Sequence, residues 1–314
     1  MKKLTFLPKC FFLLLTLSVA CSDDDSAETE PGSYAWTPSS ISPDGPFAAS
    51  RIQSNNDTLY ALAYFNETKG IFRYNGNEWD LYKEIPFGFL GSYDQFTIIN
   101  DVVYYSRYNE LYKFQGSTME KILSRGYIKN LYEFQGKLII AGDAIEVSNS
   151  SYSVITYDGT TFTGLSDESV SGKIFEVNGK LFFPGLSGQT YDGTTITPIA
   201  FSGNFYGVDQ EESLYFNDMT SNGTRIFKQL KNGNKIKVGE DIPEHPFFNS
   251  LEFIDNTIVG VANSNPQSFS FTYFLRDNAW IEVPAVATLA NLTIHKNTLF
   301  ATTQGSIVEL VKSR

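Results

Sequence analysis

One short apolar strand recurs seven times along the chain, tight Asn-Asp or Asn/Gln-Gly turns precede most copies, and the two ends of the body hold complementary parts of one sheet. These three observations predict an all-β fold: a seven-bladed β-propeller of four-stranded blades, its ring closed by the N-terminal strand pairing into the last blade. Twenty-six Phe and 18 Tyr, with few helix signals, agree with that class.

The N-terminus sets the expected compartment. Lys2 and Lys3 precede an apolar run, Cys10 to Val19, that is too short to span a bilayer stably. The run ends in Leu17-Ser18-Val19-Ala20-Cys21, small residues ahead of a cysteine. This arrangement resembles the lipobox of bacterial lipoproteins, which implies that residues 1–20 are a signal peptide and that Cys21 is lipidated. Residues 21–33 are acidic, bear Pro and Gly, and lack large apolar side chains, so they read as a disordered tether with a reach of roughly 20 Å. The run Asp23-Asp24-Asp25 is similar to the export signal of surface lipoproteins in some Gram-negative bacteria. That likeness implies an outer-membrane anchor with the body facing the exterior; a periplasmic spacer is the alternative.

Cysteine and charge exclude several function classes. Cys10 leaves with the signal peptide and Cys21 carries lipid, so the body offers no disulfide, thiol nucleophile or Cys-type zinc site. The mature chain keeps 21 basic residues against 35 acidic ones, a net charge of −14. Such a body repels nucleic acid and anionic bilayers, so its expected contact with a membrane is through the lipid anchor alone.

The propeller body, residues 34–314, is read from its repeats. The anchor strands are Thr58-Leu59-Tyr60-Ala61, Val102-Val103-Tyr104-Tyr105, Lys137-Leu138-Ile139-Ile140, Lys180-Leu181-Phe182-Phe183, Ser213-Leu214-Tyr215-Phe216, Thr257-Ile258-Val259-Gly260 and Thr298-Leu299-Phe300-Ala301. Their spacings of 33 to 44 residues equal the length of one blade. Turns such as Asn100-Asp101 and Asn178-Gly179 tolerate the positive φ of a twisted hairpin. Downstream, Tyr74-Asn75-Gly76 leads to Trp79, Tyr157-Asp158-Gly159 to Phe162, and Tyr191-Asp192-Gly193 to Ile196. This Tyr-Asp/Asn-Gly pattern resembles kelch-like and related bacterial propellers, although the second strand has single glycines, Gly142 and Gly185, where kelch repeats carry a pair. The last repeat stops after Ile307-Val308-Glu309-Leu310, and Tyr34-Ala35-Trp36-Thr37 matches the missing fourth strand.

Strand order assigns the loops to faces. First-to-second and third-to-fourth turns share one face and are tight. Second-to-third and blade-to-blade connections share the other and read as long: Glu84 to Asp94, Asp143 to Tyr152, Phe201 to Asp209, Asn217 to Arg225, Gly239 to Ser250 and Asn263 to Ser270. Connections longer than closure requires are often functional, so this is the expected binding face. Its candidate residues are Phe87, Phe89, Tyr93, Tyr108, Asp143, Phe205, Tyr206, Asp218, His245, Phe247 and Phe248. Rings cover apolar surface while carboxylates take directed hydrogen bonds, which suits a glycan or protein ligand. Replacing Phe247 and Phe248 by alanine is expected to weaken binding and spare the fold.

Catalytic signals are thin. Two histidines, His245 and His295, build neither a zinc site nor a visible triad. No nucleotide loop or metal motif is present, so no cofactor is expected. The expected function is a cell-surface lipoprotein that binds a ligand without catalysis. A carbohydrate hydrolase or lyase using paired carboxylates, and a scaffold subunit of an outer-membrane complex, stay open as alternatives.

Overall fold

A computed structural model describes residues 34–43, 47–87, 94–201, 203–221, 223–243, 247–254, 257–263, 270–283, 288–303 and 306–312, with the backbone alone at Phe247 and Asn263. The expected signal peptide and tether lie outside the described residues. Among the described residues every regular element is a strand, and the strands form seven four-stranded antiparallel sheets.

After β1 (Tyr34–Pro38), the first blade runs through β2 (Phe47–Asn55), β3 (Thr58–Phe65), β4 (Thr68–Tyr74) and β5 (Trp79–Glu84). The second takes β6 (Gln95–Ile99), β7 (Val102–Arg107), β8 (Glu110–Gln115) and β9 (Thr118–Leu123). The third takes β10 (Tyr127–Phe134), β11 (Lys137–Val147), β12 (Ser150–Tyr157) and β13 (Phe162–Ser166). The fourth is small: β14 (Phe175–Val177), β15 (Lys180–Phe183), β16 (Gln189–Tyr191) and β17 (Ile196–Pro198). The fifth has β18 (Gly207–Val208), β19 (Leu214–Thr220), β20 (Gly223–Gln229) and β21 (Lys235–Ile242). The sixth has β22 (Phe247–Ile254), β23 (Thr257–Asn263), β24 (Ser270–Arg276) and β25 (Ala279–Val283). The seventh joins β26 (Leu292–His295), β27 (Thr298–Thr302) and β28 (Ile307–Lys312) to β1, in the order β1-β28-β27-β26.

The ring therefore closes as the ends of the sequence predict. Trp36 stands opposite Leu310, and Pro38 opposite Val308. Trp36 also ties the last blade to the sixth, its Nε1 donating to Thr272 Oγ1 at 2.9 Å, while the Tyr34 ring meets Phe274 edge-on at 5.1 Å. Closure leaves no blade short of a strand, the physical reason a chain with separated ends adopts it.

Apolar burial lies between the blades. Each of seven hydrophobic clusters joins one blade to the next, from Phe47, Phe72 and Trp79 against Phe300 and Ile307 to Trp36 and Leu310 against Val259 and Phe274. The anchor strands are β3, β7, β11, β15, β19, β23 and β27, second in their blades. Leu59, Val103, Leu138, Leu181, Leu214 and Leu299 are all buried in these seams.

Turn chemistry follows the sequence. Asn56-Asp57, Asn100-Asp101, Gln135-Gly136, Asn178-Gly179 and Lys296-Asn297 all take positive φ between first and second strands. The Tyr-Asp/Asn-Gly turns share one geometry. Asp158 Oδ1 accepts from the N–H groups of Thr160 and Thr161 at 2.9 and 2.8 Å, and Tyr157 Oη donates to Gly159 O at 2.7 Å. Asp192 with Tyr191, and Asn75 with Tyr74, repeat it.

The second-to-third connections differ from expectation. Blades one, two, three and five cross there in two-residue turns, at Asn66-Glu67, Tyr108-Asn109, Ser148-Asn149 and residues 221–222. Asp143 to Tyr152 and Asn217 to Arg225 are thus projecting hairpins, and Gly239 to Ser250 narrows to residues 243–246 between β21 and β22.

Candidate functional site

The first strand of each blade pairs on one side only, so seven such edges surround the axis. Every blade has a polar residue at one position of its first strand or just ahead of it. Four residues before the last residue of the first strand stand Arg51, Gln95, Asn130, Lys173, Asn204, Ser250 and Asn291, one per blade. The following position is Ile52, Phe96, Leu131, Ile174, Phe205, Leu251 and Leu292, apolar in every blade and, except for half-buried Leu292, buried in a seam. Alternation along a strand puts the two sets on opposite faces of the blade, the apolar one in the seam with the preceding blade and the polar one over the inner edge of the following blade, beside the channel. In blades one, three and six a β-bulge falls immediately before the polar residue, between Ala49 and Arg51, Ile128 and Asn130, and Phe248 and Ser250. Each bulge turns the strand from a buried residue to the polar one two positions on, the re-aiming that bulges commonly perform near sites.

A cavity of about 430 Å³ occupies this level, lined by Arg51, Gln95, Asn130, Lys173 and Asn291 of the collar and, below them, by Gln53, Tyr132, Glu176, Glu252 and Thr293. Lining groups also cap the exposed strand edges. Asn291 Oδ1 accepts from Ile52 N at 2.8 Å, Thr293 Oγ1 from Ser54 N at 3.2 Å, and Asn55 Nδ2 donates to Ile98 O at 2.7 Å. A buried edge needs such partners, because an unmet backbone group costs about as much as a lost hydrogen bond.

The charges of the collar are compensated. Lys173 Nζ lies 2.5 Å from Glu252 Oε1, reaching past the fifth blade to the sixth. It can do so because β18 is only two residues long, with Tyr206 O taking the N–H of Leu251 at 2.6 Å. Arg51 Nε donates to Asp94 O at 3.3 Å; burial lowers its pKa and the charge of Asp94 opposes that fall. Asp94 is buried and accepts from Tyr105 Oη at 2.7 Å. Glu176 is shifted upward, chiefly by burial and further by the charge of Glu133, while the hydrogen bond from Tyr132 pulls the other way. The side-chain amides of Gln95 and Asn130, half-buried on adjacent blades, make no hydrogen bond among the described residues.

The sequence-predicted residues are not gathered in one place; they run from blade one to blade six. Phe87 is half-buried in the first seam, stacked 6.4 Å from Tyr105 with the Arg107 guanidinium 5.3 Å over its ring. Phe205 and Phe248 are corrections: both are fully buried, Phe205 because it follows the collar position Asn204, Phe248 because it precedes a bulge. Tyr206 packs half-buried between blades five and six. Asp143 is held by Lys129 at 2.8 Å, and Asp218 is exposed on β19 opposite Arg225. Tyr108 is exposed at a turn, with φ of 54°, and its carbonyl takes the N–H of Ile128. Cys21, Phe89, Tyr93 and His245 lie outside the described residues, as does the side chain of Phe247.

Two features escaped the sequence reading. One is the collar, visible once the repeats are aligned on the ends of their first strands. The other is most of the rim of the long-connection face: Tyr64, Leu186 and Met219, at second-to-third connections or beside them, are exposed together with the expected Tyr108, Leu186 by 84%.

Compared by sequence, the chain matches no family model and no curated protein. Its fold is similar to that of virginiamycin B lyase from Staphylococcus aureus, at 13% identity over 89% of this chain and 99% of that one, with a TM-score of 0.62. The extracellular domain of a hybrid two-component system from B. thetaiotaomicron aligns at 10% identity over 88% of this chain and 39% of that one, TM-score 0.57. BamB from Moraxella catarrhalis aligns at 12% identity over 89% and 98%, TM-score 0.51. What the chain has in common with all three is the β-propeller fold.

Proposed function

We propose that this chain is an exported lipoprotein, tethered to the outer membrane through Cys21 and facing the medium, whose propeller holds a protein partner on its long-connection face without catalysing a reaction. One observation carries the reading: Tyr64, Tyr108, Leu186 and Met219 present apolar side chains on the same face of four different blades. An apolar set spread over several blades suits a broad macromolecular surface better than a small ligand. The lipobox-like Leu17 to Cys21 supports the anchor, and the Tyr-Asp/Asn-Gly turns support kinship with kelch-like propellers.

Photo-crosslinking in cells tests the face. A photoreactive residue at Tyr108, Leu186 or Met219 should give one discrete crosslinked product, and one at the outer-strand sites Ile236 or Ile281 should give none. Crosslinks from the outer sites alone would overturn the assignment. Replacing Cys21 by alanine should abolish incorporation of a palmitate analogue. A hydrolytic reading has one observation in its favour, the neighbouring carboxylates Glu133 and Glu176 in the channel, with Glu176 shifted upward. Turnover of chromogenic glycosides, lost in Glu176→Gln, would establish that reading instead.

A further inference from the structure

We propose that the polar collar of the channel is a binding site for a neutral, hydroxyl-rich small molecule the size of a monosaccharide or disaccharide, separate from the protein-binding rim and independent of it. The cavity of about 430 Å³ lies within the usual range for small-ligand sites, roughly 300–1,000 Å³. All seven blades place a polar residue at this position, five of the seven line the cavity, and for two of those five, Arg51 and Asn130, a bulge aims the side chain. Strand pairing alone has no need of those bulges.

The ligand class follows from what the collar has left to offer. Lys173 is matched by Glu252 and Arg51 sits in the field of Asp94, so an ionic ligand would have to displace an existing partner. The collar side chains with no hydrogen bond to the described residues are two amides, Gln95 and Asn130, on adjacent blades two and three. Each offers two donors and a carbonyl acceptor. A hydroxyl group is both donor and acceptor, so a polyol satisfies such a pair, whereas a carboxylate meets only its donors and an ammonium only its acceptors. Tyr132 adds a ring to the lining for the apolar side of a sugar. Half-buried amides without protein partners are met by water, and a ligand that reproduces the water's hydrogen bonds displaces it at little cost.

The test is a titration of the purified full-length protein, in detergent, with methyl glucoside, methyl galactoside, N-acetylglucosamine, maltose and cellobiose, and with glucuronate and glucosamine as charged counterparts. Saturation-transfer NMR detects binding and calorimetry measures it. At least one neutral sugar should bind, with its charged counterpart weaker. Asn130→Leu and Gln95→Leu should each weaken that sugar roughly 3- to 10-fold, the loss of one or two hydrogen bonds, without lowering the unfolding midpoint. Tyr108→Ser and Met219→Ser, on the rim, should leave sugar affinity unchanged. The proposal is overturned if no neutral sugar binds, if the charged counterparts bind more tightly, or if both amide variants bind like the wild type.

Discussion

Replacing Phe248 by alanine should destabilise the propeller severely, the opposite of what the sequence alone suggests for this residue. Its ring is fully buried in the seam between blades five and six, 5.9 Å from the ring of Tyr273 and 5.8 Å from that of Trp280. It also rests on Gly260, where a Cβ would fall 2.2 Å from the Phe248 ring, so the backbone of β23 has come close to meet it. The loss is therefore that of a fully buried phenylalanine, about 3–5 kcal/mol. Urea unfolding followed by Trp fluorescence measures it at constant slope, and the thermal midpoint should fall by about 10 °C in a body of this size. Phe248→Leu, which keeps most of the volume, should cost far less. A loss below about 1 kcal/mol for the alanine variant would mean that Phe248 is not a seam residue, and the buried assignment would fail.

Further outcomes follow from the same geometry. Trp36→Phe should cost about 1 kcal/mol, because the variant keeps the ring buried and leaves Thr272 without its indole donor; equal stability in denaturant would contradict that hydrogen bond. Asp158 and Asp192 are each held at about 2 by the N–H and hydroxyl groups of their turns, below the ordinary 3.8. Their contribution to stability is complete above the unfolded value and is lost as the pH falls from about 4 toward 2, and carboxyl NMR titrations with midpoints near 4 would refute it. Burial lowers the pKa of His295, with Lys296 adding to the fall, Asp57 opposing it, and its Nδ1 2.9 Å from Ser54 Oγ across the closing seam. The unfolded chain then takes the proton more readily, so this seam weakens as the pH drops below about 6.5. His295→Gln should flatten the dependence of unfolding free energy on pH between 7.5 and 5.5, and an unchanged slope would count against the seam.

Much of the fold was legible because its devices are local. The anchor strands around Leu59, Val103 or Leu181 are short runs of apolar residues bounded by turns that admit positive φ, and the Trp36 segment has the pattern of a fourth strand. The hairpin tips were not legible, since Asn66-Glu67, Tyr108-Asn109 and Ser148-Asn149 lack the glycine that marks such turns, and β11 reaches its tip through polar residues that read as a loop. Tyr108 is exposed whereas Phe205 and Phe248 are buried in seams, because aromatic content does not reveal which side of a strand a ring takes. Register decides that. Arg51, Gln95 and Asn130 are obscure in the sequence for a related reason: the strongest repeat signal lies in the second strands, whereas the channel is built from the first.

Closure of the ring by β1 fixes the axis, the two faces and the common level of the collar. Pairing Ala35→Cys with Val311→Cys tests it directly, since these residues stand opposite each other across β1 and β28. Neighbours on antiparallel strands lie about 4.5–5.5 Å apart at Cα, within disulfide reach. The account predicts that oxidation forms this bond in high yield and protects against unfolding by up to about 5 kcal/mol, since the bond spans nearly the whole body. Two cysteines that stay reduced in the folded protein, or a bond that forms without raising the unfolding midpoint, would contradict it.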